Sequence, residues 1–354
     1  MTGLTIVVLH AFMDSGATWD MVAPALARGG HEVIAPDLRG FGLSDSVDPS
    51  GYYHFPDYVA DVAQLVESLA PRRLALIGHS MGGTIAAMFS GAHPDLVERL
   101  ALLEGLGPVV ADPDVAVVRL QSWLRGLRDV PKLPRPLTSV QEAVERLCLH
   151  HPGVPREVIE TRARLLTRAD DTGRLVWAYD PRHRTTSPTP FNVGAFKAFL
   201  ARIECPTLVV SGGPSGWHTP DEADRLSCLS HAVVCELPTA GHMMHWTQPV
   251  LLAQRLLAFF SAPPVPRTKP PTSVRPASGI DPSSSIGGHE PLTALEGPPP
   301  DGPTTTPGML PPSVPPETRP RSATVPSGPG VQPVYGGAAV GLPSPGNTGP
   351  GRGG

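Results

Sequence analysis

The first 260 residues alternate short apolar runs with longer segments of mixed polarity. The runs are rich in Val, Ile and Leu, which is typical of strands buried on both faces of a sheet. This alternation predicts an α/β fold with a mostly parallel sheet flanked by helices. The predicted strands are Leu4–Leu9, Glu32–Ala35, Leu74–Ile77, Leu100–Leu103, Thr207–Val210 and Val233–Leu237.

Helical spacing of apolar residues fills the segments between these strands. The predicted helices are Trp19–Ala27, Tyr58–Leu69, Gly82–Ala92 and Leu251–Phe260. Residues 108–190 break the rhythm, because they hold three Arg-rich amphipathic patterns with Pro-rich connections and no recognisable strand. The three patterns lie near residues 113–128, 139–149 and 156–168. We therefore expect an inserted helical lid over 108–190.

Composition changes sharply after residue 260. Residues 261–354 contain 24 of the 45 prolines and 16 of the 37 glycines, and their only aromatic residue is Tyr335. Ordering a backbone costs at least ~1 kcal/mol per residue, and this segment has too little apolar surface to offset that cost. The sequence thus predicts one domain over 1–260 and a disordered Pro/Gly/Ser/Thr-rich tail over 261–354.

Charge and composition narrow the classes of partner. The net charge is −4, from 28 basic and 32 acidic residues, and no basic stripe is present to bind nucleic acid. No apolar run approaches the ~20 residues that a membrane span needs. The N-terminus lacks the positive region of a secretory signal, and the four cysteines show no CxxC spacing. We expect a cytoplasmic protein with reduced thiols.

A Gly-x-Ser-x-Gly motif carries the clearest chemical signal. Gly78-His79-Ser80-Met81-Gly82 follows an apolar strand and precedes a helix rich in small residues. A serine on such a tight strand-to-helix turn is pushed out of the sheet, and backbone N–H groups at the start of the helix face a developing oxyanion. Ser80 is therefore the candidate nucleophile.

With this motif in place, residues 4–260 resemble the α/β-hydrolase superfamily. The segment His10-Ala11-Phe12-Met13-Asp14 is similar to the oxyanion loop of the family, with Ala11 where glycine is usual. The resemblance implies an oxyanion hole formed by the N–H groups of Phe12 and Met81. The turn Asp37-Leu38-Arg39-Gly40, after the second predicted strand, is similar to a turn of the family. We interpret its role as structural rather than catalytic.

The general base is expected after the last predicted strand. Ala240-Gly241-His242 lies where the family has its catalytic histidine, so His242 is the candidate base. His245, three residues later, is not assigned this role. The other histidines, among them His79, His183 and the pair His150-His151, show no metal-ligand spacing. We expect no metal and no cofactor.

The usual position of the triad acid holds no carboxylate. After the strand at 207–210 the chain reads Gly212-Gly213-Pro214-Ser215, and Asp221 and Asp224 fall in the following helix, where a capping or solvent-facing role is expected. Glu104, however, directly follows the strand at 100–103, an alternative acid position used by some haloalkane dehalogenases. An exposed loop glutamate is the competing interpretation.

The order Ser80, Glu104, His242 matches the nucleophile, acid and base order of the fold. Within the superfamily, Glu104-Gly105-Leu106-Gly107-Pro108 and the segment 177–184 resemble the serine hydrolase-like group. The resemblance implies acyl-enzyme chemistry on a carboxylic ester or thioester, with an apolar acyl pocket walled by the lid. Candidate lining residues are Trp123, Trp177, Phe191 and Phe196.

Other interpretations remain open from sequence alone. A non-catalytic ligand-binding relative, with Ser215 marking a lost acid, is one alternative, and a lactone or C–C bond hydrolase is another. The tail, with its segment 311–316, is a candidate ligand for polyproline-binding domains. The leading hairpin usual in the superfamily is not evident before Leu4, so either the sheet lacks those edge strands or the start codon is misassigned. A missing edge would leave unpaired backbone groups and favour dimerisation or aggregation, and we expect a monomer or homodimer.

Overall fold

The computed structural model describes residues 3–112, 114–130 and 135–263, and a six-stranded parallel sheet forms the centre of this part of the chain. The strand order is β2-β1-β3-β4-β7-β8. All pairs in this sheet are parallel, which confirms the predicted fold class. The strands are β1 Thr5–Leu9, β2 Glu32–Ile34, β3 Leu74–His79, β4 Val97–Leu103, β7 Thr207–Ser211 and β8 Ala232–Glu236, with β5 Thr167–Ala169 and β6 Leu175–Trp177 in a separate hairpin.

Burial along the strands follows their place in the sheet. Every residue of the central strand β3 is buried, which is why its sequence reads as a continuous apolar run. The strand β8 lies at one edge, where Val233 and Val234 are 62% and 57% exposed. From β1 the chain continues to β2 on one side of the sheet and then to β3 on the other side of β1. In parallel sheets ligands bind in the crevice at such a switch point, which here lies at the carboxyl ends of β1 and β3.

Ten α-helices are present among the described residues. They are α1 Ala23–Arg28, α2 Phe55–Leu69, α3 Met81–Ala92, α4 Val115–Asp129, α5 Val140–His150, α6 Arg156–Leu165, α7 Val193–Leu200, α8 Glu222–Ser227, α9 Met244–Thr247 and α10 Pro249–Phe260. Side chains of α1 and α10 pack on one face of the sheet, and those of α2, α3 and α7 pack on the other. Alternate residues of each central strand reach these two separate cores.

The inserted segment between β4 and β7 contains α4, α5 and α6, close to the predicted helical patterns. The prediction that this segment lacks strands is wrong, because β5 and β6 form an antiparallel hairpin within it. The helix expected up to residue 168 ends at Leu165, and a turn at 170–173 with Gly173 at φ +78° reverses the chain. Glycine adopts this left-handed conformation without a steric cost.

The prediction of one helix over Trp19–Ala27 is also wrong. A 3₁₀ turn covers Gly16–Trp19, and α1 begins only at Ala23. Pro24 explains the break, because proline fits the first turn of a helix and disrupts its interior. The predicted tail over 261–354 lies outside the described residues except for 261–263. No helix in the described ranges is long and apolar enough to cross a membrane.

Candidate active site

Ser80 occupies the sharp turn between β3 and α3. Its backbone lies at φ 52° and ψ −114°, a conformation that residues other than glycine rarely adopt. The Ser80 N–H donates to the carbonyl of Leu103 at 2.9 Å, which ties the turn to the end of β4. A Cβ atom at Gly82 would lie 2.1 Å from the carbonyl oxygen of Leu9, so only glycine lets α3 start this close to β1. The local sequence therefore holds Ser80 in a strained turn at the end of the central strand.

The loop after β1 runs beside this turn. His10 anchors its start, because its Nε2 accepts from the Leu38 N–H at 2.9 Å and its Nδ1 contacts the Ala11 carbonyl at 2.7 Å. The left-handed residue of the loop is Met13, at φ 56°, and not Ala11, where the family usually has glycine. Phe12 in this loop and Met81 at the start of α3 line the same cavity. The first N–H groups of a helix have no partner within it, so the N–H of Met81 is positioned to serve an anion.

The structure brings Glu104 and His242 into direct contact. Nδ1 of His242 lies 2.5 Å from Oε2 of Glu104, whose side chain is 1% exposed. Two backbone N–H groups complete the surroundings of the carboxylate: Gly212 donates to Oε1 and Trp217 donates to Oε2, both at 2.7 Å. A carboxylate that only accepts requires the proton to be on Nδ1 of His242, so Nε2 is left as the basic nitrogen.

The loop at 212–216, where the family usually has its acid, instead accommodates Glu104. A Cβ atom at Gly216 would lie 1.9 Å from Oε1 of Glu104, and one at Gly212 would lie 2.8 Å from the same oxygen. Glu104 itself is at φ 45°, at the carboxyl end of β4. Because Gly212 and Gly216 have no side chains, this loop leaves the space that the Glu104 carboxylate fills.

The two aspartates that follow this loop have other partners. Oδ2 of Asp221 accepts from Nε of the buried Arg225 at 2.9 Å, and Arg225 also donates to the carbonyls of Leu106 and Pro108. Asp224 is exposed and pairs with Lys197 at 2.7 Å. Neither carboxylate is hydrogen-bonded to His242 among the contacts of the described residues.

An apolar cavity of about 410 Å³ lies beside the turn at Ser80. Its lining includes Met81 and Phe12 of the loop after β1, together with residues from the segments 52–58 and 182–199. Phe and Tyr dominate the wall: Phe12, Tyr52, Tyr53, Phe55, Tyr58, Phe191, Phe196 and Phe199. Such a cavity fits the apolar part of a small ligand.

Of the four residues suggested for the pocket, Phe191 and Phe196 are in the cavity wall, with ring centroids 5.3 Å apart. Trp123 of α4 does not line it, but its ring packs edge-on against Tyr52 at 5.5 Å. Trp177 lies elsewhere and packs with the cluster that contains Met243. Tyr52, Tyr53 and Phe55 were missed, because they lie just before or at the first residue of α2, where the sequence shows no periodic pattern.

A second polar cluster lies behind the Glu104–His242 pair. Nε2 of His245 contacts Oδ2 of Asp14 at 3.1 Å, and the hydroxyl of Thr18 donates to Oδ1 of Asp14 at 2.8 Å. Nε2 of His79 lies 2.8 Å from the carbonyl oxygen of His242. All four side chains are almost completely buried. Sequence reasoning missed this cluster, because its members come from three distant segments.

Electrostatics in this cluster favour an ionised Asp14 beside neutral histidines. Burial tends to raise the pKa of Asp14, but its hydrogen bond and charge interaction with His245 outweigh burial and lower the pKa to about 2. Burial lowers the pKa of His245, and burial together with the nearby His242 and His245 holds the pKa of His79 well below its usual value. Neutral imidazoles therefore act here as hydrogen-bond donors.

The same cluster is the one group in the described ranges whose residues could ligate a metal. Asp14, His79 and His245 each offer a ligand atom, and these atoms lie within 4.8 Å of one another. Hydrogen bonds within the protein already engage Asp14 and one nitrogen of each histidine. The geometry is accounted for without a metal, and the expectation of no metal site stays a prediction.

Comparison with known proteins agrees with this fold. The family whose model matches the chain is described as the alpha/beta hydrolase fold, and the match covers residues 5–249. A crystal structure of a hypothetical protein from Pseudomonas aeruginosa is 28% identical, with a TM-score of 0.65, over 74% of this chain and 93% of that one.

Two curated relatives illustrate the family. A 3-hydroxybutyrate-oligomer hydrolase of Cupriavidus necator is 30% identical over 257 residues, which is 70% of this chain and 85% of the relative. A serine hydrolase-like protein of Danio rerio is 40% identical over 105 residues, and this match spans 32% of that protein's length and 30% of this chain.

Proposed function

The chain belongs to the α/β-hydrolase fold family, and on this premise we propose that it is a serine hydrolase that cleaves carboxylic esters or thioesters through an acyl-enzyme on Ser80. The observation that carries the proposal is the contact between His242 and the buried Glu104, at the same end of the sheet as the strained turn of Ser80. A carboxylate that orients an imidazole beside a serine is the arrangement of a catalytic triad.

In the first half-reaction, Nε2 of His242 takes the proton of the Ser80 hydroxyl as Oγ attacks the substrate carbonyl carbon. Glu104 holds the Nδ1 proton and stabilises the imidazolium that forms. The tetrahedral intermediate collapses, and the leaving alkoxide or thiolate takes the proton from Nε2. In the second half-reaction, water gives its proton to Nε2 and attacks the acyl carbon, and Oγ of Ser80 leaves with that proton to release the acid.

Charge on the tetrahedral oxygen needs donors that are in place before the reaction. We assign this role to the N–H groups of Phe12 and Met81, because both residues line the cavity next to Ser80. Preorganised donors of this kind each contribute on the order of 10²–10³ in kcat. The aromatic wall of the same cavity would receive the acyl group.

Between esters and thioesters, we favour oxygen esters as the substrates. The C. necator relative is named for the hydrolysis of 3-hydroxybutyrate oligomers, whose units are joined by ester bonds. A cavity of about 410 Å³ has room for roughly fourteen non-hydrogen atoms, if each occupies about the 30 Å³ that a water molecule takes up in the liquid. We therefore place the preferred acyl groups in the short to medium range.

Hydrolysis of p-nitrophenyl butyrate by the full chain and its Ser80→Ala variant tests the proposal. We expect the variant to lose about 10⁶ in kcat, as loss of the nucleophile does in other triads. Ser215→Ala is the matched control, because Ser215 lies in the loop next to Gly241 yet has no assigned role. Ser215→Ala should stay within a few-fold of the wild type. Substantial activity in pure Ser80→Ala protein would exclude the acyl-enzyme.

A further inference from the structure

We propose that His79 is a positioning residue that holds the backbone of His242, so that the His242 imidazole meets both Glu104 and Ser80. The inference rests on the proposed function and goes beyond its triad. The carrying observation is the hydrogen bond between Nε2 of His79 and the carbonyl oxygen of His242, at 2.8 Å.

His79 is well placed to couple the two reacting side chains. It is the last residue of β3 and directly precedes Ser80, so its backbone is fixed by the central strand. Its ring centroid lies 4.8 Å from that of His242 and 4.9 Å from that of His245. One side chain therefore links the turn that carries the nucleophile to the loop that carries the base.

The direction of the hydrogen bond follows from its chemistry. A carbonyl oxygen only accepts, so the proton of His79 is on Nε2 and Nδ1 carries a lone pair. That Nδ1 atom is buried and has no hydrogen-bond partner among the described residues. Because His79 stays neutral, it places no positive charge beside the imidazolium that forms on His242 during catalysis.

The other end of the His242 loop has its own anchor. His245 donates from Nε2 to the ionised Asp14, and its ring stacks on Trp19 with centroids 4.7 Å apart. Asp14 and Trp19 belong to the segment that begins with the oxyanion loop. The segment from His242 to His245 is thus held at both ends, at His242 by His79 beside the nucleophile turn and at His245 by the segment after β1.

The effect of a positioning residue appears in turnover rather than in binding. A shift of about 1 Å at a catalytic group can cost on the order of 10²-fold in rate, and His79 does not line the substrate cavity. We therefore expect removal of its donor to lower kcat by about 10- to 100-fold and to leave KM within threefold.

Two kinds of variant separate positioning from packing. His79→Leu and His79→Met fill the space without a hydrogen-bond donor. The donor-free variant used for kinetics is the one whose melting temperature shows that it is folded. His79→Gln can place its amide nitrogen near the original Nε2, so it should restore kcat to within a few-fold of the wild type. The inference is wrong if kcat of the donor-free variant stays within threefold of the wild type. It is also wrong if kcat of His79→Gln is as low as that of the donor-free variant.

A proton NMR measurement reads the same geometry without any substrate. The proton between His242 and Glu104 should give a far-downfield resonance, assigned by its absence in His242→Gln. We expect this resonance to shift or broaden in the donor-free His79 variant and to return in His79→Gln. An unchanged resonance in the donor-free variant would overturn the inference, whereas absent esterase activity in a wild type that shows the resonance would count against the proposed function alone.

Discussion

The carboxylate of Glu104 lies 2.5 Å from Nδ1 of His242, although the two residues are 138 positions apart in sequence. Glu104 follows β4 and His242 follows β8, and the strand between these two is β7, whose following loop meets the end of β4. That loop contributes two backbone N–H groups to the carboxylate and has no acid between residues 212 and 216. In this chain the loop binds the Glu104 carboxylate, which we propose as the triad acid, and supplies no acid of its own.

Glu104→Gln tests whether this carboxylate is the triad acid. The amide keeps the shape but removes the charge that stabilises the His242 imidazolium, so we expect kcat to fall by up to about 10⁴. Asp221→Asn and Asp224→Asn are the controls, since these aspartates pair with Arg225 and Lys197. Each should cost less than tenfold. The assignment fails if Glu104→Gln keeps most of its activity while one of the aspartate variants loses it.

Gly216→Ala tests the space around the same carboxylate. The added Cβ would lie 1.9 Å from Oε1 of Glu104, so either the loop or the carboxylate must move. We expect kcat to fall by about 10- to 100-fold, together with a lower melting temperature. Gly153→Ala is the matched control, because a Cβ there meets nothing within 4 Å. Equal kinetics in the two variants would show that the Glu104 position is not critical.

Acyl length should be limited by the aromatic cavity. Because the cavity has a volume of about 410 Å³, we expect kcat/KM for p-nitrophenyl esters to peak between acetate and octanoate and to drop for palmitate. Phe196→Ala should move the optimum to longer chains, because Phe196 lines the cavity. Trp177→Ala removes an aromatic ring outside the cavity and should leave the optimum unchanged. A flat profile from acetate to palmitate would mean that this cavity does not bind the acyl group.

Stability should fall in acid because of buried neutral histidines. Burial lowers the pKa of His183 to about 3, whereas an unfolded histidine has a pKa near 6.5. Between these values the unfolded chain binds a proton that the folded protein does not. The free energy of unfolding therefore falls by about 1.4 kcal/mol for each unit of decreasing pH over this window, from this group alone.

Urea unfolding at pH 6, 5 and 4 measures this contribution. His183→Phe keeps an aromatic ring between Phe41 and Tyr53, and its free energy of unfolding should depend less steeply on pH than that of the wild type by about 1.4 kcal/mol per unit. The exposed His150 provides the control, and His150→Gln should keep the wild-type slope. A wild-type slope in His183→Phe would contradict a neutral, buried His183.

The sequence was informative wherever one local pattern was sufficient. Continuous apolar runs located the strands of the main sheet, and the Gly-x-Ser-x-Gly turn located Ser80. Local rules failed where a single residue overrode periodicity, as Pro24 did at the start of α1. They failed also at the hairpin of β5 and β6, whose three-residue strands are too short to show alternation.

Contacts between distant segments were harder to foresee. Glu104 was named because strand ends meet at one edge of a parallel sheet, a rule that needs no distances. The partners of His79 and His245 could not be found in this way. Their hydrogen bonds join β3, the loop after β1 and the loop before α9, and only the packed structure sets those distances. For the same reason the sequence indicated only that His245 is not the general base, and its contact with Asp14 was missed.

The most direct test of an acyl-enzyme mechanism is covalent labelling of the intact chain with a fluorophosphonate, read by mass spectrometry. We predict one adduct per chain, located on Ser80 by peptide mapping. The labelling rate should fall steeply in His242→Gln, because the base that activates Oγ is gone. Absence of an adduct on Ser80 in folded protein, or an equal labelling rate in His242→Gln, would contradict the proposed acyl-enzyme mechanism.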